Sequence, residues 1–88
     1  MNLKETSISK EKMIEIYKVI GQNVKRIRKE KGISQLELSL SIGHKAVGTV
    51  SMCELGINNK HFNLEHLIKI ADVLETDINN FFDGIDKV

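Results

Sequence analysis

The sequence predicts an all-α domain of five short helices, and three observations carry that prediction. Apolar residues recur at three- and four-residue steps along most of the chain, the spacing of a single buried helix face. Serine, asparagine or aspartate precedes several of these segments and glycine follows three of them, which are helix start and stop signals. No convincing strand appears, and the chain contains no proline.

The elements follow in order. Residues 1–9 are polar and are expected to form a flexible arm. Ser9 is placed to cap a helix beginning near Lys10. Its apolar stripe is Met13, Ile16, Tyr17, Ile20, Val24 and Ile27, and the helix is expected to run to about Lys31. Gly21 is expected to weaken its middle by roughly 1 kcal/mol relative to alanine. Gly32 supplies the left-handed residue that ends it. Ser34 then caps a second helix, with Glu37 at capping-box spacing. Leu36, Leu38, Leu40 and Ile42 predict that this helix is short and largely buried, and Gly43 closes it. The third helix is expected from about Lys45 or Ala46 to Leu55, with Val50 and Cys53 facing inward and Gly56 as its stop. A polar loop over residues 58–61 leads to Asn63, the cap of a fourth helix with His66 at its third position. The inner face predicted for that helix is Leu64, Leu67, Ile68, Ala71 and Leu74. Asp77 caps a short fifth helix, INNFFD.

At 88 residues the chain fits one small domain with a modest core. No apolar run approaches membrane-spanning length and no charged-then-apolar leader is present, so no membrane partner is expected. The single cysteine, Cys53, cannot form an internal disulfide, and a reducing cytoplasm is the expected compartment. Net charge is only +1, but residues 1–56 carry ten Lys and Arg against six Asp and Glu, while residues 57–88 carry three against six. The halves are therefore +4 and −3. The cluster KRIRKEK, residues 25–31, dominates the basic half. It reads either as a solvated helix end with cations favoured at its C-terminus or as a phosphate-facing patch.

Three segments, IGQNVKRIRKEKGISQLELSLSIG, TVSMCELG and NLEHLIKIADVLETDINNFF, together resemble the Cro/CI-type (XRE-like) helix-turn-helix family. Glycine ends the first helix and is followed by Ile-Ser-Gln; glycine ends the second; a β-branched apolar residue, Glu and Gly follow at the family's spacing. The resemblance covers about residues 20–82. It implies a compact five-helix lambda-repressor-like bundle, here with an N-terminal extension lengthening the first helix. The implied organisation is an arm over 1–9, a DNA-binding domain over 10–83 with the helix-turn-helix at about 34–55, and a tail over 84–88. The physical logic is independent of the resemblance. The major groove of a duplex presents the full base code and is wide enough for one helix. The second helix of such a motif braces across the backbone while the third lies in the groove.

Two departures from the family pattern stand out. The turn is one residue longer than the commonest form, and the segment GHK, residues 43–45, is expected to absorb the extra residue. Ser39 stands where alanine is usual, and its hydroxyl needs a partner.

Counting back from Gly56, the resemblance implies base-reading positions at Val47, Gly48, Ser51 and Met52, with Lys45 at the helix start. Val47 and Met52 suit thymine methyls, Ser51 can hydrogen-bond several bases, and Lys45 can reach guanine or phosphate. Gly48 would let the backbone approach closely. Phosphate contacts, which position without specifying sequence, are expected from the backbone and side chain of Gln35 and from Thr49, Asn58, Asn59 and Lys60, with Lys25 and Lys29 adding long-range attraction. Arg28 and Glu54 occupy positions that pair as an internal salt bridge in the family. Ile78, Phe81 and Phe82 are the expected dimer interface, partly capping the core.

Cys53, His61 and His66 match no familiar zinc spacing, and no metal is expected. No nucleophile–base pair stands out, so no enzyme activity, cofactor or small-molecule ligand is expected. The expected function is a sequence-specific double-stranded DNA-binding transcriptional regulator. It would be a repressor or autoregulator of restriction–modification controller or phage-repressor type, acting as a homodimer on operator half-sites. The alternative is a protein-interaction or antitoxin-like module whose helix-turn-helix does not read DNA, suggested by the scarcity of charge on the third helix.

Overall fold

A computed structural model describes residues 2–43 and 47–88. They form four α-helices, α1 (Lys10–Glu30), α2 (Gln35–Ser41), α3 (Val47–Leu55) and α4 (Leu64–Val73), followed by two 3-10 helices, Ile78–Phe82 and Ile85–Lys87. No strand occurs among the described residues. The extra residue assigned to the turn before α3 lies in a segment whose residues 44 and 45 are outside them.

The local signals act where the sequence puts them. The Ser9 hydroxyl accepts the Lys12 N–H at 3.0 Å and starts α1. The helix then runs unbroken for 21 residues and is released by Gly32 in the left-handed region, φ 71°. Ser34 and Glu37 form a reciprocal capping box, each side chain bonded to the other's backbone N–H at 3.0 Å. That exchange holds the Glu37 carboxyl below its ordinary value, chiefly through the Ser34 backbone N–H. Asn63 and His66 make the same box at the start of α4. Asp77 caps the first 3-10 helix through the Asn79 N–H.

The core joins Ile20, Val24 and Ile27 of α1 to Leu38 and Ile42, Val50 and Cys53, Phe62, Leu67, Ile70, Leu74 and Phe81. Three sequence expectations change. Leu36 and Leu40 are exposed, the latter at 64%, because seven-residue α2 packs through one face only and buries Leu38 and Ser39. In α4 the inner face is Leu67, Ile70 and Leu74, which leaves Leu64 and Ile68 exposed at 64% and 55%. The segment read as a tail makes a second 3-10 turn, and its Ile85 packs on the core. Asn23 of α1 fastens these C-terminal turns by donating to the carbonyls of Phe81 at 3.0 Å and Asp83 at 2.9 Å.

Gly21 has a second role beside its intrinsic helix cost. Here Gly21 is buried, and a Cβ would overlap the carbonyl oxygen of Cys53 and stand 2.6 Å from that of Glu54. The glycine is what allows α1 to lie close against the C-terminal turn of α3. Ser39 is buried, and no buried side-chain polar atom among the described residues lacks a partner. Among them no helix is long and apolar enough to cross a membrane.

Candidate nucleic-acid interface

The back of α3 is fixed by a buried ion pair. Arg28 donates from Nε to Glu54 Oε2 at 2.7 Å and from Nη2 to Oε1 at 3.0 Å, while its Nη1 reaches the Ile33 carbonyl at 2.8 Å. The arginine is 6% exposed and the glutamate 1%. A fork of parallel charge-assisted bonds gives direction as well as attraction. Isolated burial of either charge would be costly, and each compensates the other. Gln35 completes the set by donating its amide to Glu54 Oε1 at 2.9 Å. One carboxylate thereby ties the end of α1, the start of α2 and the end of α3 together, which sets the angle of the α2–α3 pair. This corrects the side-chain half of the Gln35 phosphate assignment. Its amide nitrogen is turned inward to Glu54, and only its backbone N–H is left to face a phosphate.

The front of α3 is different. Gly48 is exposed, and among the described residues a Cβ built there would meet nothing within 4 Å. Thr49, Ser51 and Met52 are half-buried. Lys45 and the side chain of Val47 lie outside the described residues. Met52 touches the following loop, where Asn58 Nδ2 donates weakly to its Sδ at 3.6 Å. The described part of the outer face, Gly48, Ser51 and Met52, is uncharged and continuous with the loop.

That loop has an uncommon backbone. Gly56, Asn58 and Asn59 are all left-handed, with φ of 67°, 55° and 56°. Asparagine tolerates this region better than most side chains. The helix is terminated by Gly56 and Ile57 N–H groups that both bond the Met52 carbonyl, at 2.7 and 3.2 Å, and Lys60 N–H closes a turn onto Ile57 at 2.9 Å. The result exposes Asn58, Asn59 and Lys60 together beside the outer face of α3.

Two contacts around this loop are absent from the sequence reading. His61 stacks flat on Tyr17 of α1, with ring centroids 3.7 Å apart and planes 10° from parallel. The Lys18 stem covers Gly56, where a Cβ would fall 2.7 Å from its Cγ. Neither could be found from spacing, because the partners belong to distant segments.

The dimer residues separate. Phe81 is fully buried in the core, so it is removed from the interface set; its ring is needed where α1, α4 and the C-terminal turns meet. Ile78 and Phe82 are half-buried. Ile78 shares a shallow groove with Ile68 and Ala71, and Phe82 shares one with Leu64. An apolar surface thus runs from the outer face of α4 to the first 3-10 helix.

Cys53 is sealed in the core, and burial pushes its thiol above the ordinary value, leaving it protonated and a poor nucleophile or ligand. His61 is engaged with Tyr17, and His66 caps α4 through its Nδ1.

A family model described as helix-turn-helix matches residues 24–81 of the chain. The match begins inside α1 and spans the brace, α2, α3, the loop and α4. No match is found among curated proteins.

Proposed function

The chain belongs to the helix-turn-helix family of the Cro/CI (XRE-like) type, with that family's lambda-repressor-like bundle, and we propose that it is a cytoplasmic, sequence-specific transcriptional regulator. In this reading it binds double-stranded DNA as a homodimer and represses or autoregulates, in the manner of a restriction–modification controller or phage repressor. The observation that carries the reading is the contrast across α3. A buried three-residue brace holds its back in one orientation, while its front, with Gly48 exposed and Ser51 and Met52 half-buried, is uncharged and lies beside a polar loop. Such a helix suits the major groove, where close approach matters as much as charge.

Val47, Gly48, Ser51 and Met52 are the proposed readers, with Lys45 at the helix start. Thr49, Asn58, Asn59, Lys60 and the Gln35 backbone are the proposed phosphate contacts. Affinity then comes largely from the loop, and sequence preference partly from DNA shape. The apolar surface formed by Leu64, Ile68, Ile78 and Phe82 supports self-association. A two-fold dimer would place its readers about 34 Å apart, one turn of duplex.

Binding of a duplex from the chain's own upstream region, measured across a salt series, tests the reading. Native protein should bind with a linear dependence of log affinity on log salt. Lys60→Ala should weaken binding almost uniformly across sequences and reduce the slope by about one. Absence of binding even at low salt would instead favour a protein-interaction module, for which exposed Leu36 and Leu40 offer a surface.

A further inference from the structure

The family match starts at residue 24, yet α1 begins at Lys10. The N-terminal part of the helix lies outside the matched segment but lies directly behind the loop that follows α3. Tyr17 stacks on His61, Lys18 covers Gly56, and Gly21 admits the last carbonyls of α3. Lys10, Met13, Ile14 and Tyr17 line one side of a groove of about 240 Å³ whose other side is Gly56, Asn59, Lys60 and His61.

We propose that Tyr17 and His61 are positioning residues for DNA binding, acting through the loop over residues 58–60. The proposal rests on the regulator reading and assigns a task to the part of α1 beyond the matched segment. The loop needs such a hold. Two successive non-glycine residues in the left-handed region cost conformational free energy, and the hydrogen bonds described above join the loop only to α3 and to itself. Its far end is anchored by buried Phe62 and by the ring of His61 lying on Tyr17. Stacked aromatic rings contribute modestly beyond their buried area. That is the scale needed to favour one loop conformation over several. An ordered loop presents Asn58, Asn59 and Lys60 to phosphates with less entropy left to lose on binding. Neither ring touches the nucleic acid in this account; both act through the backbone they hold.

The test compares full-length native chain with His61→Ala, His61→Phe and Tyr17→Phe. His61 is exposed, so its replacement spares the core. Three quantities are read: melting temperature, amide hydrogen exchange over residues 57–60 in the free protein, and duplex affinity across a salt series. His61→Ala should keep its melting temperature within a few degrees, exchange faster at the loop, and bind the duplex about three- to tenfold more weakly, the range set by one aromatic pair. His61→Phe and Tyr17→Phe keep the ring faces and should restore both exchange protection and affinity. Native-like exchange and affinity in His61→Ala would overturn the proposal. So would a loss in His61→Phe as large as that in His61→Ala, since the contribution would then not be the stack. If the native chain bound no duplex, the regulator reading would fall separately. Exchange unchanged by His61→Ala would then still overturn the ordering role, and exchange accelerated by it would uphold it.

Discussion

On the side of α3 that faces α1, Glu54 accepts three hydrogen bonds and Gly21 clears space for two carbonyl oxygens. On the opposite side, no described residue comes within 4 Å of a Cβ at Gly48, and no side chain between Gly48 and Met52 carries a charge. Both faces contain a helical glycine, but among the described residues packing accounts for Gly21 alone. The back of the helix is specified by the fold. Among the described residues, nothing packs against the front at Gly48. The comparison separates residues that hold the helix from residues that use it, and substitutions should respect the division.

Arg28→Ala should produce the largest effect. It leaves Glu54 buried with only Gln35 for compensation, at a cost of ~3–5 kcal/mol, a large share of the stability of a small domain. Chemical denaturation would measure it. Full stability combined with reduced duplex affinity would move Arg28 from the brace to the DNA surface.

Gly21→Ala and Gly48→Ala test the two faces of α3 against each other, because the same substitution should act in opposite directions. At Gly21 the methyl group has no room, and the helices must separate, at about 1–3 kcal/mol. At Gly48 the methyl group meets no described residue, so the helix should gain roughly 0.5–1 kcal/mol while duplex binding weakens through lost close approach. Melting curves and binding of both variants would settle whether the two glycines differ as described.

These contrasts also show what the sequence makes legible. Ser34 and Glu37 sit within one helical turn, as do Asn63 and His66, so helix starts can be read from local spacing. Gly32 and Gly56 mark the ends of α1 and α3 for the same reason. The family resemblance, through positions counted from those glycines, brings Arg28 and Glu54 into register. It does not show that Gln35 joins them, because a glutamine at a helix start can equally turn outward. Leu36 and Leu40 mislead because apolar density in a seven-residue helix does not say which of its faces is covered. Leu64 and Ile68 mislead similarly, since Leu67, Ile70 and Leu74 offer an equally periodic stripe. Gly21 and the Tyr17–His61 stack depend on how α1 lies against the end of α3 and the loop beyond it. No spacing within either segment encodes that relation.

On the proposed reading, the outer face of α3 reads base pairs. Binding profiles over every single-base variant of a bound duplex, compared for native, Ser51→Ala and Met52→Ala proteins, test it most directly. Each variant should lose discrimination at one or two base pairs of each half-site. The losses should lie at or below the lower end of the ~1–3 kcal/mol typical of a good base contact, with stability close to native. Identical profiles for all three proteins, with affinity retained, would contradict the claim and place sequence reading elsewhere on the molecule.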